Sequence, residues 1–196
     1  EEKPAVFKDS NRDYLALIRN HYDRVLTSGR DEYGPHKTAL WLASIDVRNG
    51  GQPANPDPAK KRTYRLIHAP KGSTLYWEQP AVIAAYELSR ISNEKKYADA
   101  ADAYLKDFLK HCVSPNGLFL WGNHIYYDVF TDSAVKFEGG YHEARPLPVA
   151  WEMFWRISPE ATEKSIRQLG RQHVYNKETG LFNRHGDVAS MAEPKT

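Results

Sequence analysis

The chain states one helical phrase twice. Pro80–Ser92 and Pro146–Ser158 align at an offset of 66 residues, with Pro80, Ala84, Arg90, Ile91 and Ser92 matching Pro146, Ala150, Arg156, Ile157 and Ser158. Glu94 matches Glu160 at the same offset. After the next helical stretch, Gly117-Leu118-Phe119 matches Gly180-Leu181-Phe182 at an offset of 63, and a histidine, His124 or His185, follows each copy. Two matching blocks in the same order define a unit of helix, turn, helix and apolar return. A period in the sixties is too long for the common solenoid repeats. It fits the helical hairpins of an α/α toroid, in which inner helices line a core and outer helices wrap it. The expectation is therefore an all-α chain, part of an (α/α)6 barrel.

Periodicity supports the helices. Tyr14, Leu15, Ile18, Tyr22, Val25 and Leu26 recur at three- and four-residue spacing behind a capping box at Ser10–Asp13, and Gly29 is a stop signal. A second helix is expected from Pro80, in a first-turn position. A third, over Glu94–Cys112, carries Tyr97, Ala101, Tyr104, Leu105, Phe108 and Leu109. A fourth is expected from near Pro146 through Trp151, Phe154 and Ile157. Ser158-Pro159-Glu160 then caps a fifth with Ile166, Leu169 and Val174 on its apolar stripe. The reading is one domain over 1–196, with helical repeats at about 78–117 and 144–180. A long loop over 30–76 is marked by turns at Gly50-Gly51 and Pro56-Asp57-Pro58 and by a buried apolar piece at Thr38–Ile45. A closed toroid needs more hairpins than these, so the chain reads as the N-terminal part of a longer molecule that requires its C-terminal half.

Charge excludes some partners. Twenty-seven basic residues against twenty-five acidic ones leave a net charge of +2, which gives no electrostatic case for nucleic acid. No apolar run is long enough to span a bilayer. The one cysteine, Cys112, lies in a helical stripe and reads as a small buried hydrophobe.

The chemistry-bearing residues fall outside the apolar stripes. They form clusters at Asp31–His36, Tyr76–Gln79, Trp121–Asp128, Glu138–Arg145 and Asn183–His185. The repeat sets Tyr76–Gln79 and Glu138–Arg145 before equivalent helices, and the third and fifth clusters after equivalent helices. In a toroid these ends share one rim, the usual place for a site. Two chemistries fit. Glycoside hydrolysis needs two carboxyl groups, for which Glu78, Asp128 and Glu143 are the candidates. Elimination at a uronate needs a base for the C5 proton (His124 or His142), an acid for the leaving oxygen (Tyr127) and a cation for the carboxylate (Arg145 or Arg184). Tyr76, Trp77, Gln79, Trp121, Tyr126, Arg145, Arg184 and His185 complete a sugar-binding surface of stacking rings and polar groups. Glu78 has a second reading, as an acid that satisfies helix N-terminal amides.

No metal and no cofactor is assigned. His124, His142, Glu143 and His185 are metal-ligand residue types, but Pro146 stands where a zincin would carry its second histidine. The absence of a Gly-x-Ser-x-Gly elbow disfavours acyl-transfer hydrolases.

Four segments carry a resemblance: Gly29–Thr38, Leu75–Gln79, Trp121–His124 and His142–Arg145. They resemble secreted bacterial proteins of the six-hairpin, (α/α)6-barrel carbohydrate-active class, glycosidase-like or pectate-lyase-like, over the first half of such a barrel. The resemblance implies a secreted or periplasmic enzyme that cleaves glycosidic bonds of a polysaccharide or oligosaccharide. Arg145, Arg184 and the histidines point to an acidic substrate. The three carboxylates place a hydrolase ahead of the alternative, a uronate lyase. A non-catalytic carbohydrate-binding toroid is the third reading.

Overall fold

The computed structural model describes residues 13–46, 48, 72–121, 125–136, 141–144 and 148–188. The Ser10–Arg12 part of the expected cap, the Gly50-Gly51 and Pro56–Pro58 turns, the helix start at Pro146, and the candidates His124 and Arg145 lie outside them.

The described residues form five helices: α1 Tyr14–Ser28, α2 Leu75–Ser92, α3 Lys95–His111, α4 Trp151–Ile157 and α5 Pro159–His173. Asp13 caps α1 through its side chain, which accepts the Ala16 N–H at 3.0 Å. Ser158 does the same for α5 on Ala161, at 3.3 Å, with Pro159 in the first turn. Asn93 ends α2 in the left-handed conformation, φ 59°. The α3 stripe is fully buried, since Tyr97, Ala101, Tyr104, Leu105 and Phe108 stand three or four residues apart and meet the core on one face.

Two helices differ from expectation. Helix α2 begins at Leu75, five residues before Pro80. Pro80 has no N–H to donate toward the Tyr76 carbonyl. The turn before it forms anyway, because Thr74 O accepts from Trp77 N at 3.0 Å and from Glu78 N at 3.2 Å. The Glu78 carboxylate reaches back to the Thr74 N–H at 2.6 Å. Helix α5 buries a different face from the one its apolar residues suggest. Thr162, Ser165, Gln168, Gln172 and His173 are buried and Ile166 is 41% exposed.

An all-α toroid is not the architecture. Seven short strands accompany the helices among the described residues: β1 Gly72–Ser73, β2 Ile125–Asp128, β3 Ser133–Lys136, β4 Tyr141–Glu143, β5 Val174–Asn176, β6 Leu181–Phe182 and β7 His185–Asp187. They make three antiparallel sheets, β1-β2-β3, β4-β7 and β5-β6. The fold is mixed, and the (α/α)6-barrel expectation is corrected accordingly. The physical cause is visible in β2. Ile125 and Tyr127 are buried while Tyr126 is half-buried, the period-two alternation of a strand with one face on the core. Of the polar-aromatic clusters expected outside regular structure, Ile125–Asp128, Tyr141–Glu143 and His185 stand in strands.

Aromatic contacts tie the layers together. Tyr22 on α1 meets Trp41 and Tyr97 edge to face, and its hydroxyl donates to the Ala81 carbonyl at 2.6 Å. Phe108 on α3, Phe119 and Phe154 on α4 pack mutually within 5.6 Å. Gln79 clamps α2 to the entry of α4. Its Nε2 donates to Pro148 O at 2.9 Å and its Oε1 accepts from Ala150 N at 2.8 Å. Gln79→Leu keeps the volume and strips both bonds, leaving a backbone donor and acceptor unsatisfied. A loss of about 1–3 kcal/mol is expected from urea denaturation.

Candidate active site

Strands β4 and β7 place the charged residues. Their register pairs Tyr141 with Asp187, His142 with Gly186 and Glu143 with His185. The ladder continues through Ala144 N, which donates to Arg184 O at 2.8 Å. Side chains opposite each other in an antiparallel pair stand close enough to interact, so Glu143 faces His185 with Arg184 beside it.

Glu143 is completely buried. The Arg184 Nε donates to its Oε1 at 3.0 Å, and Arg184 Nη2 donates to the same oxygen. His185 Nε2 stands 3.9 Å from that oxygen. The arginine side chain is 60% exposed and the histidine side chain 41%. A dry carboxylate therefore holds one guanidinium and faces one imidazole, and both cationic-type groups present themselves to solvent. A carboxylate buried this way is tolerable only with such a partner.

Behind this cluster lies a chain of two histidines. The His173 Nδ1 stands 2.7 Å from the Asn183 carbonyl oxygen. A carbonyl only accepts, so Nδ1 carries the proton and His173 Nε2 is an acceptor. His142 Nδ1, 2.8 Å from that Nε2, is then the donor. Both rings are neutral in this arrangement. Burial, and secondarily the neighbouring His173, pushes His142 down to about 3; burial also lowers His173. Gly186 is required here, since a Cβ would meet His173 Nε2 at 2.7 Å. Phe182 stacks on the His173 ring, centroids 5.2 Å apart.

The other sequence candidates fall elsewhere. Glu78 is 4% exposed and its Oε2 takes the Thr74 amide, the role of a helix-start acid. Burial pushes its carboxyl well above the usual range. Asp128 is 8% exposed and accepts the Phe130 and Thr131 amides in the β2–β3 turn. Tyr127 is buried against His111 and Asp132, and burial raises its hydroxyl. Tyr126 covers Gly72. Tyr76, Trp77 and buried Trp121 form an edge-to-face series. The structure thus gathers His142, Glu143, Arg184 and His185 and places the α2 and β2 candidates in separate settings. His173 completes the cluster without having been singled out from the sequence, and Asn183, part of the last polar cluster, anchors it through its carbonyl. Nothing in the local sequence distinguishes His173 from an ordinary basic residue at a helix end.

Among the described residues no three His, Cys, Asp or Glu side chains converge as metal ligands. Glu143 Oε1 and His185 Nε2 are the donor pair near enough to share an ion.

The neutral histidine pair has a consequence for stability. With its folded value depressed from 6.5 to about 3, His142 contributes stability that is complete above about pH 6.5 and is lost as pH falls toward 3, because the unfolded chain binds the proton first. The loss approaches about 1.4 kcal/mol per pH unit. Urea midpoints across that window should show this slope, and His142→Gln should flatten it.

The model of one protein family, periplasmic pectate lyase, matches residues 78–196, a stretch that contains both β4 and β7. That family description agrees with the secreted or periplasmic location expected from the resemblance, and no described helix is long and apolar enough to cross a membrane. It also makes the chain one of a polysaccharide-degrading family, with the lyase reading favoured over the hydrolase. With more than half of its length matched, the chain belongs to the periplasmic pectate lyase family.

Proposed function

We propose that the chain cleaves an acidic, uronate-containing polysaccharide by β-elimination at the Glu143–Arg184–His185 cluster. The observation that carries the reading is an exposed guanidinium pinned to a fully buried carboxylate beside a half-exposed imidazole. Elimination needs a positive charge opposite the uronate carboxylate, so that the C5 proton becomes acidic, and a base to take that proton. Arg184 supplies the charge and His185 the base. The C5–H electrons form the C4–C5 double bond, the C4–O4 bond breaks, and the leaving oxygen takes a proton from water. Glu143 acts through its neighbours by fixing both side chains.

Burial also weakens the hydrolase alternative. Retaining or inverting hydrolysis places two carboxyl groups directly against the sugar. Glu143, Glu78 and Asp128 are 0%, 4% and 8% exposed, and each is committed to a guanidinium or to backbone amides. His124 and Arg145 stay as proposed contributors from the neighbouring segments, as do Trp77 and Tyr126 for sugar stacking.

A second division of labour is favoured by the 3.9 Å separation of Glu143 Oε1 and His185 Nε2. Those two atoms would then hold a divalent cation, which would supply the charge opposite the carboxylate. Arg184, which donates two N–H groups to Glu143, would stay protonated and orient the uronate, and proton removal would fall to His124.

The test is digestion of polygalacturonate by the full chain, reading reducing ends and ultraviolet absorbance together. New absorbance matching the reducing ends is expected, since the product carries a conjugated double bond. Reducing ends without absorbance would overturn the lyase reading. Arg184→Ala and Glu143→Gln should each lower kcat by about 10²–10⁴-fold. Insensitivity to a chelator supports His185 as base, whereas loss restored by a divalent ion supports the second division.

A further inference from the structure

We infer that the Phe182 ring is the stacking surface for the sugar next to the uronate held by Arg184. The inference rests on the Arg184 reading above and adds a further part to the same site.

Phe182 is an apolar residue that the fold leaves in water. It is 55% exposed, and Leu181 beside it is about half exposed. In the first copy of the repeat the matching residues, Leu118 and Phe119, are buried in the core. Exposure of this ring is therefore a property of the second copy and not of the motif. One face of the ring is already used. It lies nearly parallel to the His173 imidazole, at 15° and 5.2 Å between centroids. His173 is completely buried, so the exposed area of Phe182 falls on its other face and its rim.

The ring is also held in place. Phe182 pairs with Val174 across β5 and β6. Asn183 N donates to the His173 backbone carbonyl at 2.6 Å, and the Asn183 carbonyl accepts from His173 Nδ1 at 2.7 Å. Gly186 lies against the Nε2 edge of the same imidazole. Residues 182, 183 and 186 thus wrap one buried ring, and Arg184 and His185 stand on the loop between them. An aromatic fixed in this way loses little freedom when it meets a ligand.

Its position suits a sugar chain. Two residues of chain span at most about 7 Å, so the Phe182 and Arg184 backbones stand no farther apart than that. An exposed guanidinium and an exposed ring therefore share one stretch of surface. The guanidinium selects a carboxylate. The flat apolar ring selects the C–H face of a pyranose. A chain of linked uronates offers both at once, one sugar to each group. Ligand sites commonly combine apolar surface with a few placed polar groups in this manner.

The experiment compares the full chain with Phe182→Leu, Phe182→Tyr and Arg184→Ala on polygalacturonate. Reducing ends give kcat and KM whichever chemistry cuts the bond. Retardation in native gels containing polygalacturonate gives affinity even without cleavage. Leucine still covers His173 but offers no flat face, whereas tyrosine does both. Phe182→Leu should raise KM and weaken retardation by about tenfold, with kcat changed by less than about twofold, the mark of binding lost equally from ground and transition states. Phe182→Tyr should behave as the unaltered chain. Unchanged KM and retardation in Phe182→Leu would overturn the proposal and leave the Arg184 reading standing. A fall in kcat as the main effect, or no rescue by tyrosine, would mean that the ring only braces His173, and would overturn it too. Absence of retardation in the unaltered chain, or retardation indifferent to Arg184→Ala, would overturn the Arg184 reading and this one with it.

Discussion

Burying a carboxylate completely is the most demanding thing this chain does. Glu143 has no exposed surface, and an unpaired charge there would cost several kcal/mol. The Arg184 guanidinium offsets that cost only if β7 runs antiparallel to β4 in the register that sets Glu143 across from His185. That register requires the chain to turn back after α5, which the β5–β6 hairpin accomplishes. It also requires the two strands to lie against the C-terminal end of α5, where Gly186 admits the His173 ring. A long-range pairing of side chains thus organises local structure on both sides of a helical hairpin.

The histidine pair makes that organisation directional. His173 is anchored to the Asn183 carbonyl and passes an acceptor to His142, one residue before Glu143. Each ring has one defined tautomer, so the strand carrying Glu143 is held by a hydrogen bond that works only while the His173 Nε2 acceptor is unprotonated. Neutral rings inside and charge at the mouth is an economical separation. The polar interior does not compete electrostatically with the ion pair, of which only the arginine faces solvent.

The helices were legible in the sequence because their signals are local and long. The α3 stripe repeats at 3.6-residue spacing over four turns, and Ser158-Pro159 announces α5 without help from the rest of the fold. The strands were not legible for the opposite reason. Pieces of two to four residues have no room to display a period, and β4 becomes a strand only because β7, some forty residues later, pairs with it. The same limit applied to the site. His142, Glu143, Arg184 and His185 stood out as polar residues beside helices. Only the tertiary pairing separated them from Glu78 and Asp128, whose carboxylates serve backbone amides. His173 carried no sequence mark, because its role is set by a glycine and a carbonyl on other segments.

The repeat itself shows how one pattern serves two ends. Arg90 pairs with Glu87 on its own helix, while its counterpart Arg156 crosses to Asp102 and Tyr86 and binds the second hairpin to the first. The Gly-Leu-Phe returns diverge further. Leu118 and Phe119 are buried in the core, whereas Leu181 and Phe182 are about half exposed. Phe182, relieved of core packing, lies parallel to the His173 ring. A segment that closes the core in the first copy braces the site in the second. Sequence equivalence between the copies therefore transmits backbone shape and leaves chemistry free to differ, which is why the histidine after the first return and the histidine after the second need not share a role.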